Sequence, residues 1–440
     1  MARAKKSRST RATHRARKPP RAQSPKTPPS PSSPRSDQTP PPRQPSTPPS
    51  PGLLPTTEET EAATQPDRTS LPRLAGGAGR QPLEVTRGFA LADGQPPQGL
   101  GLTYWFEAVA SGPPYRVSVL FEGRLRGDAP AGEPNTFSVV RSVDGVLPGA
   151  GHMSLTTSLP DLPAGTWDVT ATPVRPMGGS AATWAPIRAP GLPRAAASGT
   201  TTFAPITRSR APGVRIGAWP LLVAAGAVVA LLTQRFLADR VGLHPVRLLL
   251  VSLLACLLGV AGAKAYYLAT HPAERRNILT AGMSIQGFVL AAVATLLGGS
   301  FILGLPIGQV LDVSAPALLA GMAVGRVGCL LGGCCSGRPT TSRWGIWSSD
   351  RRLGTVRIPV QLMESAATAV VAVATAAANL VSDGRPAGVI FTTAVGVYVA
   401  VRQVLFPLRV LPRATAFGRP VSLLVSVAVS VVSIAIGLSA

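Results

Sequence analysis

The chain has 440 residues, a formal net charge of +23, and 45 glycines and 45 prolines, although only 14% of its residues are charged. These residues are so unevenly distributed that a single compact soluble domain is excluded. The first 50 residues are dominated by proline, arginine and lysine, whereas the last 225 consist of long apolar runs separated by short arginine-bearing loops. This distribution predicts a multipass membrane protein with a basic tail and an intervening domain.

The N-terminal segment, residues 1–95, is rich in Pro, Ser, Thr, Arg and Gln. Such a composition cannot bury enough apolar surface to offset chain entropy, so it predicts disorder. A basic arm for anionic lipid or nucleic acid is one interpretation. A solvated tail is favoured, because the basic stretch carries no interleaved aromatic residues for base stacking. Nucleic acid is therefore not expected as a partner.

The next segment, residues 96–175, alternates apolar and polar residues, for example at 115–121 and 167–171. A period of two indicates half-buried strands, and Asp-Gly and Pro-Gly pairs mark turns between them. These patterns predict a small β-sandwich-like domain with Trp105 in its core and no catalytic constellation. Residues 176–214 are predicted to be a linker, because Pro, Ala, Gly and Thr dominate them.

The C-terminal half, residues 215–440, is predicted to be an all-α polytopic membrane bundle of seven transmembrane helices. Each apolar run is long enough to span a bilayer. The runs are 217–238, 247–269, 282–303, 313–333, 360–381, 387–406 and 419–440. The third and fourth contain polar and glycine residues, which in a membrane usually face the bundle interior.

One arginine, Arg326, lies within the fourth apolar run and is flanked by Gly325 and Gly328. A guanidinium at that depth is costly unless it is paired or bound to an anion, and its flat donor fork suits a phosphate. An ion pair that only ties helices together is the alternative, with Asp312 and Glu364 as its candidate partners. Both interpretations stay open at this stage.

A second arginine cluster follows the sixth run, where Arg402 and Arg409 are seven residues apart. On a continuous helix they would share a face, but Pro407 is expected to break that register. Arg402 is interpreted as an interfacial anchor whose charged end reaches the membrane surface.

All four cysteines lie in or beside apolar runs, which excludes a secreted disulfide scaffold. They are Cys256, Cys329, Cys334 and Cys335. The spacing of the last three is not a zinc pattern and shows no fourth ligand. Small apolar packing at a crowded helix end is favoured. No metal or cofactor is predicted, and an acyl-accepting thiol lacks support.

Five short elements in one order resemble the prolipoprotein diacylglyceryl transferase family. They are Gly282–Gly287, Asp312–Pro316, Gly325–Cys329 with Gly337, Ile358–Glu364, and Arg402–Arg409. The resemblance implies seven transmembrane helices in a bacterial plasma membrane. It also implies transfer of the diacylglyceryl group of phosphatidylglycerol to the lipobox cysteine thiol of a prolipoprotein, with release of glycerol 1-phosphate. It covers residues 215–440, so the tail and β domain are expected to be dispensable for the chemistry.

The resemblance also implies site residues. Arg326 and Arg409 would hold the headgroup phosphate, with Asp312 and Glu364 orienting them, and Gln286 stands at a catalytic position of the family. The remaining candidate substrate contacts are Gly328, Gly337, Gln361 and Tyr267.

Several positions depart from the family's pattern. Gln286 replaces a histidine, Cys329 an asparagine, and Cys334 and Phe406 replace glutamates. A thiol nucleophile needs its proton removed, and a glutamine side chain cannot act as a general base. Two alternatives therefore stay open: a non-catalytic paralogue that binds anionic lipid, and a transferase with a different acceptor.

Two arguments about the orientation in the membrane conflict. The resemblance places the N-terminal side of the bundle outside the cell, and this orientation is the one expected here. The positive-inside rule favours the opposite, because most arginines that flank the apolar runs would then lie in the cytoplasm.

Overall fold

The computed structural model describes residues 81–85, 97–127, 132–177, 183–272, 283–381, 386–410 and 417–439. Most of the predicted tail, residues 1–95, lies outside these ranges. Residues 83–85 of it are described and form a strand rather than disordered chain. This strand could not be predicted, because three residues are too few to show an alternating pattern.

The N-terminal part of the described chain is built from two antiparallel sheets. Its strands are β1 Leu83–Val85, β2 Gln98–Glu107, β3 Tyr115–Leu125, β4 Thr136–Val146, β5 His152–Pro160, β6 Thr166–Met177, β7 Thr183–Pro186, β8 Ala195–Thr200 and β9 Thr202–Phe203. Two further strands, β10 Ile346–Ser349 and β11 Leu353–Arg357, come from the C-terminal half of the chain. One sheet has the order β1-β2-β5-β11-β10 with β9 beside β2, and the other has the order β4-β3-β6-β7 with β8 beside β6.

The two sheets share one apolar core. Alternate residues of β3, including Val117, Val119 and Phe121, point into it, as the period of two predicts. Trp167 of β6 is buried there too, against Phe137. Trp105 is also buried, but it stacks on His152, with ring centroids 4.9 Å apart.

Strands β7, β8 and β9 lie within residues 176–214, which the sequence predicts to be a linker. Strand β8 has the sequence Ala-Ala-Ala-Ser-Gly-Thr, whose small side chains give only a faint alternation. Its pairing with β6 depends on tertiary contact rather than on local preference. The sheets therefore extend almost to the first long helix.

The helices of the C-terminal half follow a short helix, α1 Ala204–Ser209. They are α2 Ala218–Arg240, α3 Pro245–Thr270, α4 Ile285–Ile302, α5 Ile307–Leu331, α6 Val360–Val381, α7 Val389–Leu405 and α8 Gly418–Ser439. Among the described residues, six helices are long and apolar enough to cross a membrane. One of these six spans continues from α7 through the following turn to Leu408. The predicted third run corresponds to α4, whose apolar stretch Gln286–Ile302 is shorter than the six spans. The bundle is thus a multi-pass membrane structure.

Small residues let the helices approach closely. Gly226 of α2 faces Gly321 of α5, and a Cβ atom on either would collide with the carbonyl oxygen of the other. Such contacts are typical of membrane bundles, where apolar burial gives no driving force between helices. Helix α5 contacts α2, α6 and α7, so it lies at the centre of the bundle.

A β-hairpin joins the two halves of the chain. The polar stretch 334–358, between α5 and α6, contains β10 and β11, and β11 pairs with β5 at Leu353↔Leu155 and Gly354↔Ser154. The indole of Trp347 donates a 3.0 Å hydrogen bond to the carbonyl of His152. The N-terminal sheet thus continues directly into the loop between two membrane helices.

Candidate functional site

A single carboxylate, Glu364, joins two arginines in the bundle. Arg326 Nε lies 3.2 Å from Glu364 Oε2, and Arg409 Nη2 donates to Glu364 Oε1. The side chains of Glu364 and Arg409 are 4% and 3% exposed, and that of Arg326 is 14% exposed. The three groups come from α5, α6 and the turn after α7, so helix packing alone assembles them.

The C-terminal turn of α7 positions Arg409. Helix α7 ends at Leu405, a 3-10 turn at Phe406–Leu408 that contains Pro407 follows it, and Arg409 is in extended conformation. Its backbone pairs with Gly337, and Arg338 Nε donates 3.2 Å to its carbonyl. The Arg409 side chain can therefore enter the bundle instead of continuing the face of Arg402.

Tyr398 extends the site along α7. Its hydroxyl accepts hydrogen bonds from Arg326 Nη2 at 3.5 Å and from Arg402 Nη1 at 3.2 Å. The sequence pattern predicts no role for Tyr398 and an interfacial anchor at Arg402, whereas the Tyr398 hydroxyl connects Arg402 to Arg326. The i, i+4 spacing of Tyr398 and Arg402 on one helix was the available signal.

The charges of this site do not cancel. Two guanidiniums and one carboxylate leave a net charge of +1 in a largely buried position. Among the described residues, Arg409 Nε is buried without a hydrogen-bond partner. A buried, unused donor of this kind is costly unless a ligand or water completes it. The arrangement suits a singly charged anion with several acceptor oxygens, such as a phosphodiester.

Gly337 lies where three segments meet. Its carbonyl accepts a 3.1 Å hydrogen bond from Arg357 Nη1, and a Cβ atom at this position would collide with the carbonyl oxygen of Ile358. Arg357 is fully buried in β11 and pairs with Asp350 at 2.7 Å. Burial lowers the pKa of Arg357, and the charge and hydrogen bond of Asp350 act against that shift. Through Gly337, the hairpin therefore supports the backbone of Arg409.

Three thiols lie together where α5 ends. The sulfur atoms of Cys329, Cys334 and Cys335 are all within 4.8 Å of one another. Gln361 Nε2 donates a 3.0 Å hydrogen bond to the Cys334 carbonyl, and Cys335 has a φ of +55°, which is unusual for a residue with a side chain. Hydrogen bonds to Cys329 and Cys334, with the charges of the two arginines, lower the pKa of the Cys335 thiol. The cluster therefore adjoins the arginine site.

Asp312 does not orient the arginines, contrary to the expectation from the sequence. Its carboxylate accepts the backbone N–H groups of Gly388 at 2.7 Å and Phe391 at 2.8 Å, and thus caps the start of α7. It precedes Arg326 by fourteen residues on the same helix, which separates them by about 21 Å along the axis. The acid is a helix cap because the orphan N–H groups of α7 face it.

The other predicted residues are distributed around the bundle. Gln361 is buried one turn before Glu364, and Gly328 allows α5 to approach Trp219 of α2. Gln286 is exposed at the start of α4, and Tyr267 stacks on a histidine at the end of α3. Helices α3 and α4, which carry these two residues, pack mainly on each other. Residue 282 of the first motif lies outside the described residues.

These features define a multi-pass membrane protein with a buried cationic site facing a thiol cluster. A family model described as prolipoprotein diacylglyceryl transferase matches residues 207–440. The chain belongs to this family.

Individual relatives share part of the same region. The chain is 33% identical over 167 residues to a phosphatidylglycerol–prolipoprotein diacylglyceryl transferase of Leifsonia xyli, covering 34% of this chain and 49% of the relative. It is 30% identical over 132 residues to the protein of the same name from Chloroflexus aggregans, covering 28% of this chain and 43% of the relative. The chain thus spans about half the length of these relatives.

Proposed function

We propose that the protein transfers the diacylglyceryl group of phosphatidylglycerol to the cysteine thiol of a prolipoprotein lipobox. The observation that carries this proposal is the pair of buried guanidiniums on one carboxylate. Family membership and the names of the relatives support the same reaction.

The headgroup phosphate would bind between Arg326 and Arg409. A phosphodiester has one negative charge, which equals the +1 charge left after Glu364 is counted. The free Nε of Arg409 and the remaining donors of Arg326 would reach its oxygens. Glu364 would hold the guanidinium groups of Arg326 and Arg409 at a fixed separation. The hydroxyl of Tyr398 would hold Nη2 of Arg326 in place.

In the reaction, the thiolate sulfur of the acceptor attacks the glyceryl carbon that bears the phosphate. A carbon–sulfur bond forms, the carbon–oxygen bond to phosphate breaks, and glycerol 1-phosphate leaves with the bonding electrons. The leaving group gains negative charge as this bond breaks. Guanidiniums already in position would stabilise that charge without reorganisation.

The membrane part would be residues 215–440, with α4 as a seventh span in a bacterial plasma membrane. Its 18 residues correspond to about 27 Å of helix, close to the thickness of the hydrocarbon core. Residues 96–175 would form the center of the β domain, and the hairpin of β10 and β11 would attach it to the site. Phosphatidylglycerol, a prolipoprotein and membrane lipids would be the partners.

A non-catalytic protein that binds anionic lipid is the second candidate. It is favoured by Gln286, Cys334 and Phe406, which replace residues of the family capable of handling protons. Both candidates require the same phosphate site, so lipid binding does not separate them.

Complementation separates the two candidates. The full chain is expressed in a bacterium depleted of its own transferase, beside Arg409→Ala and the harmless control Arg419→Lys. We expect growth and lipid-modified lipoproteins with the unchanged chain and the control, but not with Arg409→Ala. If the unchanged chain inserts into the membrane but restores neither growth nor lipid modification, the non-catalytic candidate is favoured.

A further inference from the structure

The thiol cluster gives this chain chemistry that the arginine site lacks. Cys329 lies in the last turns of α5, and the chain turns back so that the Cys334 amide donates a 3.0 Å hydrogen bond to the Cys329 carbonyl. Cys335 follows in the left-handed conformation. Residues that keep such a backbone need support from their surroundings, and they concentrate at functional sites.

The three sulfur atoms are close to the geometry of a metal site. With zinc–sulfur bonds of about 2.3 Å, tetrahedral zinc separates its sulfur ligands by about 3.8 Å. The three sulfurs here lie within 4.8 Å of one another, so small side-chain rotations would bring them onto one ion. Among the described residues, no fourth histidine, cysteine or carboxylate joins the group.

Three protein ligands with an open fourth position are the mark of catalytic rather than structural zinc. Cys334 and Cys335 are half-buried, which leaves that position accessible. A zinc ion with three thiolates has one net negative charge. Two guanidiniums lie close by, because Arg326 precedes Cys329 by three residues on α5 and the backbone of Arg409 pairs with Gly337, two residues after Cys335. They would offset this charge in a medium of low dielectric constant.

We propose that Cys329, Cys334 and Cys335 bind one Zn²⁺ ion whose fourth position accepts the lipobox thiol. The zinc site stands on the cluster geometry alone, and the role of the acceptor thiol rests on the proposed function.

The zinc site would supply a means of removing the proton from the acceptor thiol. Gln286 cannot remove a proton from a thiol, whereas zinc deprotonates a thiol that coordinates it. The acceptor thiol would replace water on zinc and release its proton to solvent. Its sulfur would then attack the glyceryl carbon held beside it, forming the carbon–sulfur bond as glycerol 1-phosphate leaves. The resulting thioether is a weak ligand and would dissociate, restoring the open position.

Metal content tests the site directly. The full-length, untagged protein is purified in detergent, supplied with zinc, dialysed, and analysed by elemental mass spectrometry. We expect about one zinc per chain, lost in Cys334→Ser and Cys335→Ser. Cys256→Ala is the matched control, because Cys256 lies in α3 outside the cluster, and it should retain the metal. Thermal unfolding of each variant establishes that it is folded.

Cobalt replaces zinc to report on the fourth position. Co²⁺ bound by three thiolates should show sulfur-to-metal charge-transfer bands, and a lipobox peptide should change them, whereas its Cys→Ser form should not. Folded wild-type protein without zinc, or zinc retained by both serine variants, would overturn the metal site. An unchanged cobalt spectrum on adding the peptide would overturn the role of the acceptor thiol.

Activity distinguishes this inference from the proposed function. If zinc activates the acceptor, removing it should reduce turnover at least about tenfold, and zinc should restore it. Turnover that is unaffected by complete zinc removal would refute the inference and leave the proposed function standing. If the protein binds zinc and the spectrum of its cobalt form changes with the peptide, but no turnover is seen, the proposed function is refuted and the zinc site stands.

Discussion

Substitutions of Arg326 best distinguish a residue that binds phosphate from one that only forms a structural ion pair. Arg326→Lys keeps the positive charge and can still reach Glu364, but it loses the two-pronged donor fork. Arg326→Ala loses both. In either variant Glu364 keeps its partner Arg409, so no carboxylate is left buried and unpaired.

The expected magnitudes follow from these contacts. Arg326→Ala loses the ion pair with Glu364 and the hydrogen bond to Tyr398, together worth about 1.5–3 kcal/mol of folding free energy, and Arg326→Lys loses less than about 1 kcal/mol. Losing a donor aimed at charge that develops during the reaction lowers turnover by about 100–1,000-fold. We therefore expect both variants to lose activity by this order, although only the alanine variant is noticeably less stable.

The assay measures glycerol phosphate release and thermal unfolding in the same detergent. Arg419→Lys is the matched control, because Arg419 donates to the Gln403 carbonyl and belongs to α8 rather than to the Glu364 cluster, and its turnover should change less than about twofold. A Lys variant of Arg326 with nearly full activity, beside an unstable alanine variant, would show that Arg326 is only a structural partner of Glu364.

Three other substitutions test the framework of the site. Asp312→Ala removes the cap of α7 and should lower the free energy of unfolding by about 1–2 kcal/mol in denaturation experiments, and unchanged stability would contradict this role. Gly337→Ala should abolish turnover, because the added methyl group collides with the carbonyl oxygen of Ile358. Gly298→Ala should keep its turnover, because there is open space at Gly298. Equal activities of the two variants would contradict the role of Gly337 in supporting the backbone of Arg409. Trp105→Ala removes the ring that stacks on Trp347. It should lower the free energy of unfolding by about 3–5 kcal/mol and reduce turnover. Full activity of this variant would mean that the β domain is dispensable for the reaction.

The apolar pattern of the sequence predicted most of the helices. Runs of about 20 apolar residues in a chain of this composition form helices that span a membrane. Both ends of α6 coincide with the predicted run 360–381. The alternation at 115–121 likewise predicted part of β3. Strands β7 to β9 were missed because small residues give little periodicity, and because their pairing depends on distant strands.

The site was less predictable because its contacts are long-range. Glu364 was a candidate partner of Arg326 from its charge alone, but Asp312 had the same charge and became a helix cap. Only the packing of α5 against α6 and α7 decides between the two acids. The spacing of the cysteines gave no sign of a cluster, since the turn after α5 brings Cys335 back towards Cys329.

The connection between the β domain and the site also depends on long-range pairing. Strand β11 has nearly 200 residues between it and its partner β5, and no local pattern announces such a pairing. The sequence therefore suggested a separable domain, whereas in the structure a hairpin of the membrane half extends the N-terminal sheet beyond β5.

The most direct test of diacylglyceryl transfer is the mass of an acceptor peptide. The purified full-length protein in phosphatidylglycerol micelles is incubated with a lipobox peptide and with its Cys→Ser form. We expect the cysteine peptide alone to gain one diacylglyceryl group in thioether linkage, with release of one equivalent of glycerol 1-phosphate. Folded, lipid-binding protein that leaves the mass of the cysteine peptide unchanged would contradict the account.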